Sequence, residues 1–572
     1  MAKLGLALSG GGFRASLFHI GVLARLAELD LLRSVEVLSC VSGGSIIGAF
    51  YYLKLKRLLE STPEAKIKGS DYVNLVRQIE EEFLSGVQRN LRVRAFSNFW
   101  KNLRMIAEGY SRSDRMAELY DRHFFDMVAD HPTISLRELK IQPPDAPASF
   151  HPRLHNRKRK AKIPMLIINA TTLNTGRNWQ FTAVDLGERE PDVKFGSFEK
   201  NSVLPAFRYD APTLPAEKYR KVPLSIAVAA SACVPGIFQP LALTDLYPEV
   251  VPQLVDGGVE DNQGISAILY EKCTHVIASD ASTQLVDLDR PSAGIVGVVT
   301  RTNGVLMDRV RDQGLESLVL HEEGGTVDRT CIVHLREDLE PGYQQPDKSN
   351  TVLSDEPQGR TSYGIDKRIQ RELARVRTDL DSFTDIEAYS LMFSGYRIAT
   401  HTLQKEFLRP FSRSAPGKAK RQSRPQQHAG WKFSAVKTLM EEGGDEGYRT
   451  QLRIAQNVLF KAYHSNRWLI LVGLLIVLVS LAVPTVPLCI VWMSLGGGFW
   501  SLVGWSAAIT LFTLILTSIP GLSSRRHRWW RLLLKCIVMA STALFGSLLF
   551  YLHLRVIDPI FIRKGKVRVP GM

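Results

Sequence analysis

Hydrophobic positions change period repeatedly along the first fifty residues. Leu4-Gly5-Leu6-Ala7-Leu8 is an unbroken run of small and apolar residues, the pattern of a strand buried on both faces. Phe18, Val22, Leu26 and Leu29 then recur near helical spacing, which predicts a helix over roughly 14–30. Val35-Glu36-Val37-Leu38-Ser39 predicts a second strand, and Ile46, Ile47, Phe50, Tyr51 and Leu53 a second helix opened by Gly43. A β-α-β-α start of this kind predicts an α/β fold with a mostly parallel sheet covered by helices. Residues 60–135, polar with interspersed aromatics, predict a helical insertion. Strand signals return at 164–170, around Leu254-Val255 and at 275–279, and a helical pattern follows from Ala293 to Gly314.

The pattern is different near the end of the chain. Trp468 to Ile519 carries no charged residue, long enough for two crossings of about 20 residues each. Pro484, Pro487 and Gly496-Gly497-Gly498 offer the break, and Leu532–Leu554 is a third candidate in which Lys535 can snorkel. Ahead of these runs, Arg409, Arg413, Lys418, Lys420, Arg421 and Arg424 lie among Pro, Ser, Gln and Gly, which reads as a flexible polybasic tether. The expected division is an α/β domain over 1–400, a polybasic linker over 401–460 and a transmembrane helical region over 461–572.

Charge agrees with a membrane. Of a formal net charge of +15, residues 461–572 supply twelve basic side chains against a single acid, Asp558. Basic residues flanking apolar runs fit a bilayer better than nucleic acid. Arg525-Arg526-His527-Arg528 is expected on the cytoplasmic side. Two or four crossings would keep the basic tail there as well, and three would not. Gly10-Gly11-Gly12 and Arg14 interrupt any signal-peptide apolar stretch, so a multi-pass protein with its catalytic domain in the cytoplasm is expected. The six cysteines are scattered without a C-x-x-C pair, which suggests neither zinc nor a disulfide framework.

Three segments carry candidate chemistry. Ser42 follows the second strand in Cys40-Val41-Ser42-Gly43-Gly44-Ser45, where Gly43 and Gly44 allow a sharp strand–serine–helix elbow. The usual elbow has glycine two residues before the serine, and here that place is Cys40. Gly10-Gly11-Gly12 ends the first strand and opens a helix. No Gly-Lys-Ser/Thr follows it, and the second strand ends in the serine elbow where a dinucleotide site needs an acid. Successive N–H groups in such a loop suit an oxyanion, each donor contributing about 2.7–4 kcal/mol in the transition state. Asp256 stands on a third turn, Leu254-Val255-Asp256-Gly257-Gly258. A base acting directly on serine needs a carboxyl raised by desolvation and free of a cation. His19, inside the first helix, reads as a packing histidine, and Asp261 and Asp280 as structural carboxylates.

Gly10-Gly11-Gly12-Phe13-Arg14, Ser42-Gly43-Gly44-Ser45, Ala229 to Pro235 and Asp256 to Asn262, in this order, resemble the patatin-like phospholipase family over roughly residues 3–320. The resemblance implies a Ser42–Asp256 dyad, an oxyanion region of Gly10, Gly11, Gly12 and Arg14, and no metal or other cofactor. It also implies a membrane phospholipid or other acyl-lipid substrate. Bracing of the loop is the expected role of Arg14. The rival reading, prompted by Cys40, the linker and the tail, is a catalytically silent membrane-bound module that binds lipid or a protein partner.

Overall fold

The computed structural model describes residues 2–106, 110–189, 203–282, 285, 288, 290–339, 359–408, 430–458, 461–465, 468–480, 540 and 543–567. Among the described residues, one sheet organises the first 334 positions. Its ten strands are β1 (Leu4–Leu8), β2 (Val35–Val41), β3 (Met165–Thr172), β4 (Asn178–Phe181), β5 (Asp185–Glu188), β6 (Phe207–Arg208), β7 (Leu241–Ala242), β8 (Gln253–Asp256), β9 (His275–Asp280) and β10 (Arg329–His334). The order is β10-β9-β1-β2-β3-β4-β5-β6, with β8 also paired to β3 and β7 to β8.

The expected mostly parallel sheet is found in one half only. β10, β9, β1, β2 and β3 run parallel, whereas every pairing beyond β3 is antiparallel. Parallel neighbours need crossover helices, and the long helical connections after β1 and β2 supply them. The antiparallel strands β4 to β7 are two to four residues long, too short to leave a periodic signal.

Helices α1 (Gly12–Glu28) and α2 (Gly43–Ser61) start directly after β1 and β2, so both open at the same end of the sheet. The expected insertion is helical, beginning with α3 (Gly69–Val87) and continuing through Leu91–Ala95, Phe99–Ile106 and Arg112–His123. It is part of the core. Phe83 and Phe124, with ring centroids 4.8 Å apart, pack on Phe13 of α1 and Phe50 of α2. The helix Asp385–Thr402 lies along α1, so closely that a Cβ on Gly21 would stand 1.8 Å from the Met392 carbonyl oxygen.

Within the stretch expected as a linker, residues 409–429 fall outside the described residues. Trp431 to Ile454 is helical and packed. The Trp431 indole N–H donates to Glu28 at 2.8 Å, and Phe433, Met440, Tyr448 and Leu452 are buried. These apolar residues return at helical intervals and give the segment a face to dock.

The expected membrane region is not confirmed. Among the described residues one helix, Ala543–Lys564, is long and apolar enough to cross a bilayer, and Trp468–Ser480 is apolar but shorter. A multi-pass arrangement is therefore not supported. Most of the expected crossings, their Pro and Gly break and the Arg525–Arg528 loop lie outside the described residues. Asn102 donates to Ser547 at 2.8 Å and Asn90 to Asp558 at 2.8 Å, so the long helix also docks against the insertion.

Candidate active site

β2 ends at Val41, and Ser42 takes φ 49° and ψ −117° before α2 begins. A positive φ is costly for a residue with a Cβ, and such strain persists only where surrounding contacts impose it. Here the Ser42 N–H donates to the Ser231 hydroxyl at 2.9 Å, and Ser231 also hydrogen-bonds Ser45 at 2.8 Å. Gly43 and Gly44 let α2 approach the loop after β1. A Cβ on Gly43 would stand 2.1 Å from the Gly12 carbonyl oxygen, and one on Gly44 2.2 Å from that of Leu8.

Cys40 has a structural explanation. Its sulfur lies 2.3 Å from where a Cβ on Gly48 would be, so the missing side chain is on α2 and the thiol fills the notch. Burial pushes the thiol far above the ordinary range. Asn169 ties the same strand end to β3, donating to the Ser39 hydroxyl and the Cys40 carbonyl, each at 3.0 Å.

Asp256 closes β8, which pairs with β3 through Ala170. The Gly258 N–H donates to the Asp256 Oδ1 at 2.8 Å, and the Ser42 hydroxyl is close enough to lower the carboxyl as well. Both Ser42 and Asp256 are 6% exposed. Burial raises the Asp256 carboxyl from its usual range to about 6, against the lowering effect of those two groups. Among the described residues it has no ion-pair partner.

The glycine loop follows β1, the neighbour of β2, and brings Gly10 against Ser42: a Cβ on that glycine would stand 3.2 Å from the Ser42 Cβ. Gly11 and Gly12 have φ of 130° and 57°, conformations natural to glycine. The Gly10 N–H donates to the Asn262 carbonyl at 2.9 Å and the Phe13 N–H to the Asp379 carbonyl at 3.0 Å. Among the described residues, the Gly11 and Gly12 N–H groups have no such acceptor. Together with the first N–H groups of α2, they are the donors available to an oxyanion. The Asn262 side chain touches both turns: its Oδ1 would meet a Cβ on Gly10 at 2.3 Å and one on Gly258 at 2.6 Å.

Arg14 is buried, and its guanidinium donates to the carbonyls of Val376 and Ala281 at 2.8 Å each. It holds the backbone on two sides of the loop. Burial lowers it to about 10, with Asp280 opposing.

His19 also supports the loop from behind. Its Nε2 hydrogen donates to the Ser9 carbonyl at 3.0 Å, leaving Nδ1 to accept from Ser279 at 2.7 Å. Burial lowers this imidazole to about 4, so it is neutral near pH 7. Asp261 accepts the N–H groups of Gln263, Gly264 and Ser266. Asp280 pairs with Arg311 at 3.1 Å.

Ser231, Asn262 and residues 374–381 were not assigned roles by the sequence reading. The first two lie inside the matching motifs, but motif membership does not say which side chain supports the turn. Among the described residues, no group of three or more His, Cys, Asp and Glu is arranged to hold a metal ion.

Residues 6–269 match the family model described as patatin-like phospholipase. No curated protein gives a match. Two solved structures are similar at low identity. Human GIVD cytosolic phospholipase A2, in complex with methyl γ-linolenyl fluorophosphonate, is 13% identical with a TM-score of 0.34. That match covers 71% of this chain and 58% of the human one, so the chain spans little more than half of its length. VipD from Legionella pneumophila is 11% identical with a TM-score of 0.26, covering 100% of this chain and 92% of that one. At those scores neither structure carries an argument, and the assignment rests on the family match together with the geometry above. Residues 6–269 of this chain are a patatin-like phospholipase domain.

Proposed function

We propose that the chain is a membrane-associated lipid acyl hydrolase with a Ser42–Asp256 dyad. The observation that carries this reading is the strained Ser42 turn beside Asp256, a buried carboxyl raised to about 6 that has no ion-pair partner among the described residues. Asp256 takes the hydroxyl proton as Ser42 Oγ bonds to the ester carbonyl carbon. The carbonyl oxygen becomes an oxyanion facing the N–H groups of Gly11, Gly12 and Gly43. As the C–O bond to the alcohol breaks, the proton on Asp256 passes to the leaving oxygen. Asp256 then takes a proton from a water as its oxygen bonds to the acyl carbon, and returns that proton to Ser42 Oγ as the acyl–Oγ bond breaks and the fatty acid leaves.

A carboxylate is a sufficient base here because its pKa lies closer to working pH than that of a solvated aspartate. The apolar helices at the C-terminal end keep the domain at a bilayer, where acyl lipid is concentrated. Cytoplasmic placement of the domain follows from the basic residues flanking the apolar runs.

The experiment is mass spectrometry of lipid products from phospholipid micelles, with wild type and Ser42→Ala compared. Loss of fatty-acid release by about 10⁴-fold is expected for the variant. Equal release by both proteins would remove the mechanism. Absence of fluorophosphonate labelling at Ser42 in folded wild type would favour the silent lipid- or protein-binding module.

A further inference from the structure

The glycine loop is pressed onto the elbow from outside by a segment that takes no part in the reaction. A Cβ on Gly12 would stand 2.9 Å from both the N and the O of Asp379 and 3.1 Å from the Thr378 carbonyl carbon. On its other side Gly12 touches Gly43. Phe13 donates its N–H to Asp379, and Arg14 donates to Val376. Any movement of residues 376–379 is therefore transmitted directly to Gly12.

The same segment runs into a buried charge cluster that reaches the end of the chain. Arg377 donates to Asp381 at 2.8 Å, to Glu387 at 2.5 Å, and to the carbonyls of Ala455 and Ser382 at 2.8 and 2.9 Å. Its guanidinium also lies 4.1 Å from the Phe383 ring centroid. Lys461 pairs with Asp381 at 2.7 Å, donates to the Ser382 carbonyl, and lies 4.8 Å from the Phe561 ring centroid. The Ser382 hydroxyl donates to Asp558 at 3.0 Å. On the near side Arg92 binds the Asp379 carboxylate and donates its own N–H to the Leu380 carbonyl at 3.1 Å.

We infer that residues 376–383 are a positioning strap, fixed by Arg377 and Lys461 against the C-terminal segment and fixing in turn the Gly11 and Gly12 amides. Neither side chain touches substrate; both are positioning residues. The inference rests on Ser42 being the nucleophile. Oxyanion donors work only within a few tenths of an ångström of their proper distance, and the Gly12 contacts leave no slack to absorb a shifted wall. The sequence separation is large: Arg14 and Val376 are 362 residues apart. Coupling of this kind makes turnover depend on a segment far from the reacting atoms.

The test uses the full chain in detergent micelles, a soluble p-nitrophenyl ester and the variants Lys461→Met and Lys461→Arg. Turnover is counted per folded molecule, judged by monodisperse elution and a cooperative melt. The strap predicts that Lys461→Met lowers kcat about tenfold or more with KM changed less than about twofold, and that Lys461→Arg recovers most of the loss. Unchanged kcat in folded Lys461→Met overturns it. If that variant does not fold, the isosteric Asp558→Asn is read in the same way, an unchanged kcat again overturning the strap. Wild type that no fluorophosphonate labels at Ser42 would instead remove the hydrolase reading and the strap with it.

Discussion

Asp256 and Asp280 both end strands of one sheet and both are buried, yet their carboxyls move in opposite directions. Asp256 accepts one backbone N–H, from Gly258, and burial raises it to about 6. Burial acts on Asp280 in the same sense, but His334, Arg311 and the Ser282 N–H, which donates at 2.9 Å, outweigh it and hold the carboxyl at about 2. His334 is itself lowered by burial to about 4, so its charge acts on Asp280 only at acid pH, while the Arg311 guanidinium faces the carboxylate near pH 7 as well. Desolvation makes a base only where no cation compensates it. The two aspartates show that rule within one sheet.

Asparagine substitutions should separate the pair. Asp256→Asn is expected to lose ester hydrolysis by about 10³–10⁴-fold, read as kcat/KM on a soluble ester. It should not lose stability. A carboxyl raised in the folded state is penalised once ionised, a penalty absent below the ordinary carboxylate range and full above about 6. At pH 7 the amide should therefore leave Tm unchanged or raise it by about 2–4 °C in a calorimetric melt.

The pH profile gives the next effect. Wild-type kcat/KM should fall about tenfold per pH unit below an apparent pKa near 6, as Asp256 takes up its proton. A profile flat through that range would break the contrast between the two carboxyls.

Asp280→Asn should behave in the reverse way to Asp256→Asn. Removing one member of a buried pair leaves Arg311 only the exposed Asp312, at 3.0 Å, as a carboxylate partner among the described residues, at a cost of up to about 3–5 kcal/mol read from denaturant midpoints. The stability Asp280 supplies is present above the ordinary carboxylate range and is lost as pH falls through about 2. The folded fraction of this variant should retain the acid limb near 6. Loss of that limb would mean that Asp280 shares the base's role.

The opening β-α-β-α unit was legible because its periods are strong and its turns carry glycine. β1, observed at Leu4–Leu8, and β2, at Val35–Val41, lie where the apolar runs predict them. Ser42, Asp256 and the glycine loop could be picked out because each sits on a turn with distinctive chemistry. What sequence does not contain is the partner at long range. Nothing near Arg14 indicates that its guanidinium ends on the carbonyls of Ala281 and Val376. Nothing near Cys40 points to Gly48, whose missing side chain makes the thiol acceptable. The docking of Trp431–Ile454 was masked by the basic residues before it, because charge density dominates a composition reading while the spaced apolar residues decide the packing.

The claim that Asp256 is the base has one direct measurement: kcat/KM of wild type and Asp256→Asn on the same ester between about pH 4 and pH 9. With Asp256 as the base, wild type shows an acid limb near 6, and Asp256→Asn keeps only a low residual rate without that limb. An Asp256→Asn profile that keeps wild-type rates and the same limb would contradict that role.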